Sequence, residues 1–320
     1  MMKKIMTVLL VLLLVSACGV EKVEKEFTVG VLQWGEHVAL NESYEGMVQG
    51  LQDAGMSERV SVIRKNANDD PSIANQIISQ FVADKVNVIY AIATPAAQSA
   101  INMIDGTDIK VVFSAVTDPV VAGLLDNPQA PEGNVTGVSD AVSVEDQMNL
   151  MRAINPDLKS VGVLFNTSEA NSGLQVKEMK AVGALHNVEI HDIGVSSANE
   201  IEMAAQQAAS QSDALFIITD NLITTAVGIL VDKATQHQIP VYMAEDAGIE
   251  HGVMASDSIS YFKLGVQAGD MVSNLLTGTK TVSQIPVEVS KETNLIINKV
   301  MVEKLGITIP TEILERAELR

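Results

Sequence analysis

Short apolar runs alternate with longer stretches of helical hydrophobic spacing from residue 27 onward. Runs such as Phe27–Gln33 and Val86–Ala93 are rich in β-branched residues and nearly free of charge. This is the pattern of strands that are buried on both faces of a sheet. Helical signals follow such runs, for example the cap and first-turn pair Asp70-Pro71. Strands that alternate with helices predict β-α-β units and parallel sheets.

The alternation occurs twice along the chain. The predicted strands of the first half are Phe27–Gln33, Val60–Arg64, Val86–Ala93 and Lys110–Val116. The predicted strands of the second half are Ser160–Phe165, Val188–Ile193, Ala214–Thr219, Pro240–Ala244 and Val253–Asp257. The predicted helices include Asn41–Ala54, Val144–Ile154, Gly173–Leu185, Asn199–Ser210, Ile223–Gln236 and Tyr261–Leu276. The matching order of elements predicts two Rossmann-like lobes.

The lobe boundaries follow from the same pattern. Residues 126–137 are rich in Pro, Gly and Asn, which favours a linker between lobes. The predicted fold class is therefore α/β, with two parallel sheets joined by a multi-strand hinge. Lobe 1 is expected to contain residues 27–138 and about 257–284, and lobe 2 residues 139–256 and about 285–320. The chain is expected to cross between lobes near residues 137–140, 255–259 and 289–294.

The N-terminus has the pattern of an export signal. Lys3 and Lys4 precede an apolar run over Ile5–Val15, which is too short to span a bilayer. Ser16-Ala17 then precede Cys18, the one cysteine of the chain, and this arrangement resembles a bacterial lipobox. The prediction is a signal peptide over residues 1–17, lipidation of Cys18 and a charged tether over 18–26, placing the protein outside the cytoplasm on a lipid anchor. An ordinary signal peptide with a chance cysteine is the alternative.

Composition excludes several classes of function. The chain has 21 Lys and Arg against 40 Asp and Glu, a net charge of −19, which argues against a nucleic-acid partner or an anionic membrane surface. A single cysteine rules out a disulfide within the chain. The sequence contains no G-x-G-x-x-G, G-x-x-x-x-G-K-[ST], G-x-S-x-G or H-E-x-x-H motif. We therefore expect no catalytic residue, no cofactor and no metal.

Polar side chains stand at the C-terminal ends of the predicted strands, where open parallel sheets bind ligands. Of the adjacent pair Glu245 and Asp246, the candidate is Asp246. Asp140, at the first predicted crossing, is also a candidate. The candidate ligand-binding residues are Trp34, His37, Thr94, Ser114, Asp140, Phe165, Asn166, Asn171, Ser172, Asp220, Asn221 and Asp246.

Several of these candidates have a structural alternative. Thr94 and Asp220 are good helix caps, and so is Asp246. The polar loop over residues 166–172 can simply turn the chain. Trp34 and Phe165 can stack on a flat ligand or belong to the core.

Five segments together resemble the tryptophan/tyrosine-type substrate-binding proteins of ABC transporters. They are Ala93–Gln98, Phe113–Pro119, Asn134–Asp140, Asn166–Ser172 and Thr219–Asn221, and the resemblance spans about residues 29–310. It implies a type I periplasmic-binding fold with three crossovers and capture of a small solute, for some members an aromatic amino acid. One departure is His37-Val38-Ala39-Leu40-Asn41, where the family leads us to expect His-Pro-Ala-Leu-Asp.

The resemblance also implies a mechanism and partners. The lobes would close on one solute, and a membrane permease driven by an ATPase would receive it from a monomer. For an amino acid, the carboxylate is expected at the Thr94 helix with help from Ser114. The ammonium would meet Asp220 or Asp246.

The flat side chain of the ligand is expected near Trp34 and Phe165. A purine or nucleoside stacked on Trp34 is an alternative ligand, and a ligand sensor is an alternative role. The missing catalytic motifs disfavour a surface enzyme. The signal peptide and the missing DNA-binding headpiece exclude a cytoplasmic repressor of the same fold.

Overall fold

The structure is a computed structural model that describes residues 25–290 and 292–320. The predicted signal peptide, Cys18 and the tether up to residue 24 lie outside the described residues. The strands are β1 Phe27–Gln33, β2 Val60–Asn66, β3 Val88–Ile92, β4 Lys110–Val116, β5 Val135–Ser139, β6 Ser160–Asn166, β7 Glu189–Val195, β8 Ala214–Ile217, β9 Val241–Met243, β10 Ala255–Ser258, β11 Glu288–Val289, β12 Asn294–Ile297 and β13 Ala317–Leu319. The α-helices are α1 Val38–Asp53, α2 Pro71–Ala83, α3 Thr94–Ile101, α4 Val144–Ile154, α5 Ala170–His186, α6 Ala198–Gln211, α7 Asn221–Thr225, α8 Val227–Gln236, α9 Tyr261–Thr277, α10 Lys299–Leu305 and α11 Thr311–Leu314.

The strands form two sheets, one in each lobe. The sheet of lobe 1 has the order β11-β5-β4-β3-β1-β2, and all of its strand pairs are parallel. The sheet of lobe 2 has the order β13-β12-β10-β9-β8-β6-β7, with one antiparallel pair between β10 and β12. Because the strands that carry the helical crossovers are parallel, their C-terminal ends share one rim in each lobe.

The chain crosses between the lobes three times. The crossings lie between Ser139 and Val144, between Ser258 and Tyr261, and between Val289 and Asn294. Residues 288–289, which the sequence pattern assigned to lobe 2, pair with β5 in the sheet of lobe 1. Residues 257–258, assigned to lobe 1, lie in β10 of lobe 2.

Local signals account for most of the elements and for two differences. Asp70 caps α2, since its Oδ1 accepts from the backbone N–H of Ser72 at 2.6 Å, as the Asp-Pro pair predicts. α1 begins at Val38 instead of Asn41, and the predicted helix over 223–236 is divided at Ala226 into α7 and α8.

Glycines allow one unusually close helix contact in lobe 1. α9 follows the second crossing and packs on α1. A Cβ atom on Gly46 of α1 would overlap the carbonyl oxygen of Phe262, and Gly50, Gly265 and Gly269 approach opposite backbone in the same way. The absence of side chains at these four positions lets the two backbones touch and fixes α9 on lobe 1.

Each lobe has its own hydrophobic core, one cluster in lobe 1 and one on each face of the sheet in lobe 2. Among the described residues, no helix combines the length and the apolar character that crossing a bilayer requires.

Candidate functional site

A cavity lies between the two lobes, where the C-terminal rims of the sheets face each other. It is lined from lobe 1 and the first crossing by His37, Leu40, Ala115, Thr117, Asp140 and Tyr261. From lobe 2 it is lined by Asn171, Thr219, Asp220, Asn221 and Glu245. This set contains three carboxylates and, among the described residues that line the cavity, no lysine or arginine.

Unpartnered acceptor atoms are the most informative feature of the cavity. Oδ1 of Asp140, Oδ1 of Asn171 and Oε2 of Glu245 are buried and find no hydrogen-bond partner in the described part of the chain. The other oxygen of Asp140, Oδ2, accepts from the Tyr261 hydroxyl at 3.1 Å. Buried acceptors left without donors are costly. A ligand that carries N–H donors would supply what these atoms lack.

The two cavity carboxylates without full hydrogen bonding are also destabilised as anions. Burial, helped by repulsion from Asp140 and from Asp246, raises the pKa of Glu245 well above its usual range. Burial raises the pKa of Asp140 to about 6, although the hydrogen bond from Tyr261 opposes this. A cation between the two carboxylates would stabilise both charges.

His37 supplies a third acceptor beside Glu245. Glu169 Oε2 accepts from the Asn221 side-chain amide N–H at 2.5 Å, so the amide oxygen of Asn221 faces His37. The His37 Nε2 therefore donates to that oxygen, at 3.3 Å, across the cleft. Burial lowers the pKa of His37 to about 4, so the ring is neutral at neutral pH and its Nδ1 is a bare acceptor. Nδ1 lies 4.0 Å from Oε2 of Glu245, and a donor between the two atoms could serve both.

Glu169 organises the amide side chains of lobe 2. Its Oε1 accepts from the side chain of Asn166 at 3.0 Å, and its Oε2 accepts from the side chain of Asn171 at 3.3 Å. The side chain of Asn171 also donates to the carbonyl of Thr219 at 2.8 Å. With its N–H groups used in this way, Asn171 presents its free oxygen to the cavity.

Asp220 accepts hydrogen bonds from the backbone of the lobe 2 rim with both of its carboxylate oxygens. Oδ1 accepts from the backbone N–H of Ile223 at 2.9 Å, so Asp220 caps α7, and Oδ2 accepts from the backbone N–H of Asn166 at 2.6 Å. Burial and the charge of Glu169 together raise the pKa of Asp220 to about 7. Asp220 lines the cavity, but its acceptors are occupied by the backbone.

Two helix N-termini lie beside these acceptors, since His37 is the N-cap residue of α1 and Asn171 lies in the first turn of α5. α1 and α5 both begin at the cavity, next to the lining residues Leu40 and Asn171. Neither N-terminus has a side-chain cap among the described residues, and neither has an acidic residue in its first turn. The free N–H groups and the positive dipole end of a helix favour a carboxylate. The cavity thus contains free acceptors, which suit a cation, beside free backbone donors, which suit an anion.

A bulge shapes the lobe 1 rim. The pairing of β4 with β5 shifts between Phe113 and Val116, and Ala115 has a φ of 55°. Ala115 therefore lines the cavity, whereas Ser114 lies in the core, where it accepts from the Ser43 hydroxyl at 2.9 Å. The positive φ is a strained conformation of the kind that collects at functional sites.

The structure brings five of the predicted residues together in the cavity: His37, Asp140, Asn171, Asp220 and Asn221. The other seven do not line it. Asn166 and Ser172 contact residues that do, since Asn166 donates to Asp220 and Ser172 lies 3.4 Å from the Asn171 amide. The remaining five do not line the cavity; they are Trp34, Thr94, Ser114, Phe165 and Asp246.

The structure places these five residues away from the lining of the cavity. Trp34 is 6% exposed and belongs to the core of lobe 1, and Phe165 packs against a core of lobe 2. Thr94 is the first residue of α3 and not its cap, because the N-cap position is Ala93. Asp246 begins the short 3-10 helix Asp246–His251 outside the cavity, and its neighbour Glu245 faces inward instead.

Sequence reasoning missed Glu245 as a candidate, and also Tyr261 and Thr117. Glu245 was visible as half of an acidic pair at a strand end, but the pattern did not tell which member points inward. Tyr261 follows the second crossing directly, and that position was the available signal. Within residues 25–290 and 292–320, no three His, Cys, Asp or Glu side chains are grouped so that they could hold a metal ion.

Known proteins share this fold. The profile of the family described as ABC transporter substrate binding protein matches residues 28–319. A tyrosine-binding protein from Clostridioides difficile (strain R20291) is 36% identical over 278 residues, which are 86% of this chain and 80% of that protein. The crystal structure of an ABC domain from Streptococcus pneumonia in complex with L-Trp is 33% identical, with a TM-score of 0.88 over 92% of this chain and 99% of that one.

An open relative shows how the lobes are arranged here. The ligand-free, open structure of a substrate binding protein with adhesive properties from Clostridium difficile is 34% identical and covers the same 92% of this chain and 99% of its own, yet its TM-score is 0.71. At nearly equal identity, the L-Trp complex superimposes better. The lobes of this chain are therefore arranged as in the ligand-bound relative. The similarity to these structures also confirms the predicted type I periplasmic-binding fold. The chain belongs to the family of ABC transporter substrate-binding proteins.

Proposed function

We propose that this chain captures a free aromatic amino acid between its lobes and delivers it to an ABC permease. The observation that carries the proposal is the set of buried, unpartnered acceptors on Asp140, Glu245 and His37. An ammonium group placed among them can donate three hydrogen bonds. The ligand's carboxylate would then meet the N-termini of α1 and α5. A zwitterion carries the donors that the free acceptors lack and the acceptor that the free backbone N–H groups lack.

The aromatic part of the proposal rests on relatives and on a few lining residues. One relative is named a tyrosine-binding protein, and another was solved with L-Trp. Leu40, Ala115 and the ring of Tyr261 are the apolar groups that line the cavity here. The nucleoside alternative depended on stacking against Trp34, and that ring is buried in the core of lobe 1. The balance therefore favours an amino acid.

Location and partners follow from the family. Substrate-binding proteins of ABC transporters work outside the cytoplasm. Lipidation of Cys18 would hold this chain at the membrane surface, within reach of the permease, whose ATPase drives import. We propose a binding role without catalysis for a single copy of the chain. A sensor that passes its ligand to a receptor would use the same cleft.

A melting experiment tests the choice of ligand. Residues 20–320 should be heated with each of the twenty amino acids and with a panel of nucleosides. A ligand at about one hundred times its Kd adds about 2.7 kcal/mol of stability, so tryptophan, tyrosine or phenylalanine should raise the melting temperature clearly. A shift with nucleosides alone would contradict the proposed ligand while leaving the family unaffected.

A further inference from the structure

We infer that repulsion between acidic residues facing each other across the cleft opposes lobe closure, so that the ligand-free protein stays open at neutral pH and low salt. The inference rests on the proposed capture of a ligand by closing lobes. It concerns residues at the edge of the cleft, which do not contact the ligand. Three observations support it.

The first observation is a like-charged pair on one side of the cleft. Asp118 of lobe 1 and Glu178 of α5 in lobe 2 line one groove between the lobes. Among the described residues that line this groove, they are the titratable groups. Burial and the charge of Asp118 both raise the pKa of Glu178. Bringing the lobes together therefore brings two carboxylates together without a cation in the groove.

The second observation is a similar pair at another point on the rim. Asp69 follows β2 in lobe 1, and Glu169 precedes α5 in lobe 2. Burial and the charge of Glu169 raise the pKa of Asp69 to about 6. Asp69 lies against Gly35, where an added Cβ would meet its carboxylate. Glu169 reaches the same part of the cleft from lobe 2, because it holds the Asn221 side chain that bonds His37. Closure of the lobes brings the charge of Glu169 to the Asp69 carboxylate and so favours the protonated form of Asp69.

Two further pairs of carboxylates face each other across the cleft. Asp140 and Glu245 oppose each other inside the cavity, and they add to the repulsion in the ligand-free protein until the ligand's ammonium neutralises them. Glu42 of α1 faces Asp246, but Arg320 compensates this pair, and Glu45 adds to the charge on the lobe 1 side. At the edge of the cleft, outside the ligand site, the opposing pairs are therefore Asp69 with Glu169 and Asp118 with Glu178.

The third observation is how little attraction spans the cleft. Apart from the hinge, the cross-cleft hydrogen bond among the described side chains is that of His37 with Asn221. Because burial keeps His37 neutral, this contact carries no charge to offset the acidic pairs. Two partly solvated like-charged pairs are screened by salt and each costs a modest amount of free energy.

The matched variants are two double substitutions that change the net charge equally. The test variant is Asp69→Asn with Glu178→Gln. The control is Asp105→Asn with Glu303→Gln, both exposed and at the opposite ends of their sheets from the cleft. Asparagine tolerates the left-handed backbone at position 69, where φ is 59°. All three proteins would be prepared as residues 20–320.

Small-angle X-ray scattering of the ligand-free proteins gives the direct readout. The radius of gyration of the wild type should fall toward the closed value when salt is raised to about 0.5 M, or when the pH is lowered to about 5.5. The test variant should be more closed already at low salt, and the control should match the wild type. The inference is wrong if salt leaves the wild type unchanged or if test and control variants scatter alike.

Affinity gives a second readout with L-tyrosine as the probe. Removing a closure penalty should tighten binding by the test variant roughly two- to fivefold and leave the control unchanged. Equal affinities would contradict the inference. If L-tyrosine binds none of the three proteins, the proposed ligand fails, and the ligand-free scattering still decides the closure question.

Discussion

Replacing Glu245 with glutamine should weaken binding of an aromatic amino acid roughly 30- to 1000-fold, or about 2 to 4 kcal/mol. The substitution keeps the shape of the side chain but removes the charge that an ammonium would neutralise. It also places an N–H donor where the ligand must bring its own. The loss is large because Glu245 is buried, its Oε2 has no partner in the described chain, and Asp140 faces it. Calorimetric titration of residues 20–320 measures it.

Asp246→Asn is the matched control for this prediction. Asp246 is the next residue and was the candidate that the sequence pattern favoured, but it lies outside the cavity. The control should bind within about twofold of the wild type, because a half-buried carboxylate near Arg320 contributes little to the ligand. If Asp246→Asn abolishes binding and Glu245→Gln does not, the assignment of the ammonium site is wrong.

Replacing Gly46 with alanine should destabilise the protein by about 2 to 3 kcal/mol, an unusually large effect for one methyl group. The new Cβ would overlap the Phe262 carbonyl, which belongs to backbone and cannot move aside as a side chain can. α1 and α9 would have to separate, and α9 follows directly from the second crossing between lobes. Chemical denaturation followed by circular dichroism measures the change.

Gly173→Ala provides the comparison for the same change of residue. Gly173 lies in α5 with open space around its Cα, so an alanine there meets nothing within 4 Å. Alanine is the better helix former by about 0.5 to 1 kcal/mol, so this variant should be slightly more stable than the wild type. Equal effects at the two positions would show that the α1–α9 contact is looser than the structure indicates.

Much of the fold could be predicted because the signals for it are local. The strand over Phe27–Gln33 and the Asp70 cap follow from residue types within a few positions. The short strand Glu288–Val289 was assigned to the wrong lobe because its sheet is decided by pairing with β5, a contact distant in sequence. Hydrophobic pattern alone carries no information about such a partner.

The cavity was harder to predict because it depends on which way single side chains point. In a regular strand, the side chains of Ser114 and Ala115 would point to opposite faces of the sheet. The bulge in β4 instead gives Ala115 a positive φ and turns it toward the cleft. After β9, side-chain direction likewise distinguishes Glu245, which lines the cavity, from Asp246, which does not. Trp34 continues the ladder by donating its backbone N–H to Ile92 at 3.2 Å, and its ring is buried in the core of lobe 1. Sequence order predicts the rim but not the orientation at each of its positions.

The central claim is that the cleft recognises both charges of an aromatic amino acid. The most direct measurement is calorimetric titration of residues 20–320 with L-tyrosine, with tyramine, which lacks the carboxylate, and with 3-(4-hydroxyphenyl)propanoate, which lacks the ammonium. We predict that L-tyrosine binds and that each analogue binds at least about tenfold more weakly, a difference of about 1.4 kcal/mol. Binding of the deaminated analogue as tightly as L-tyrosine would contradict the role of Asp140 and Glu245.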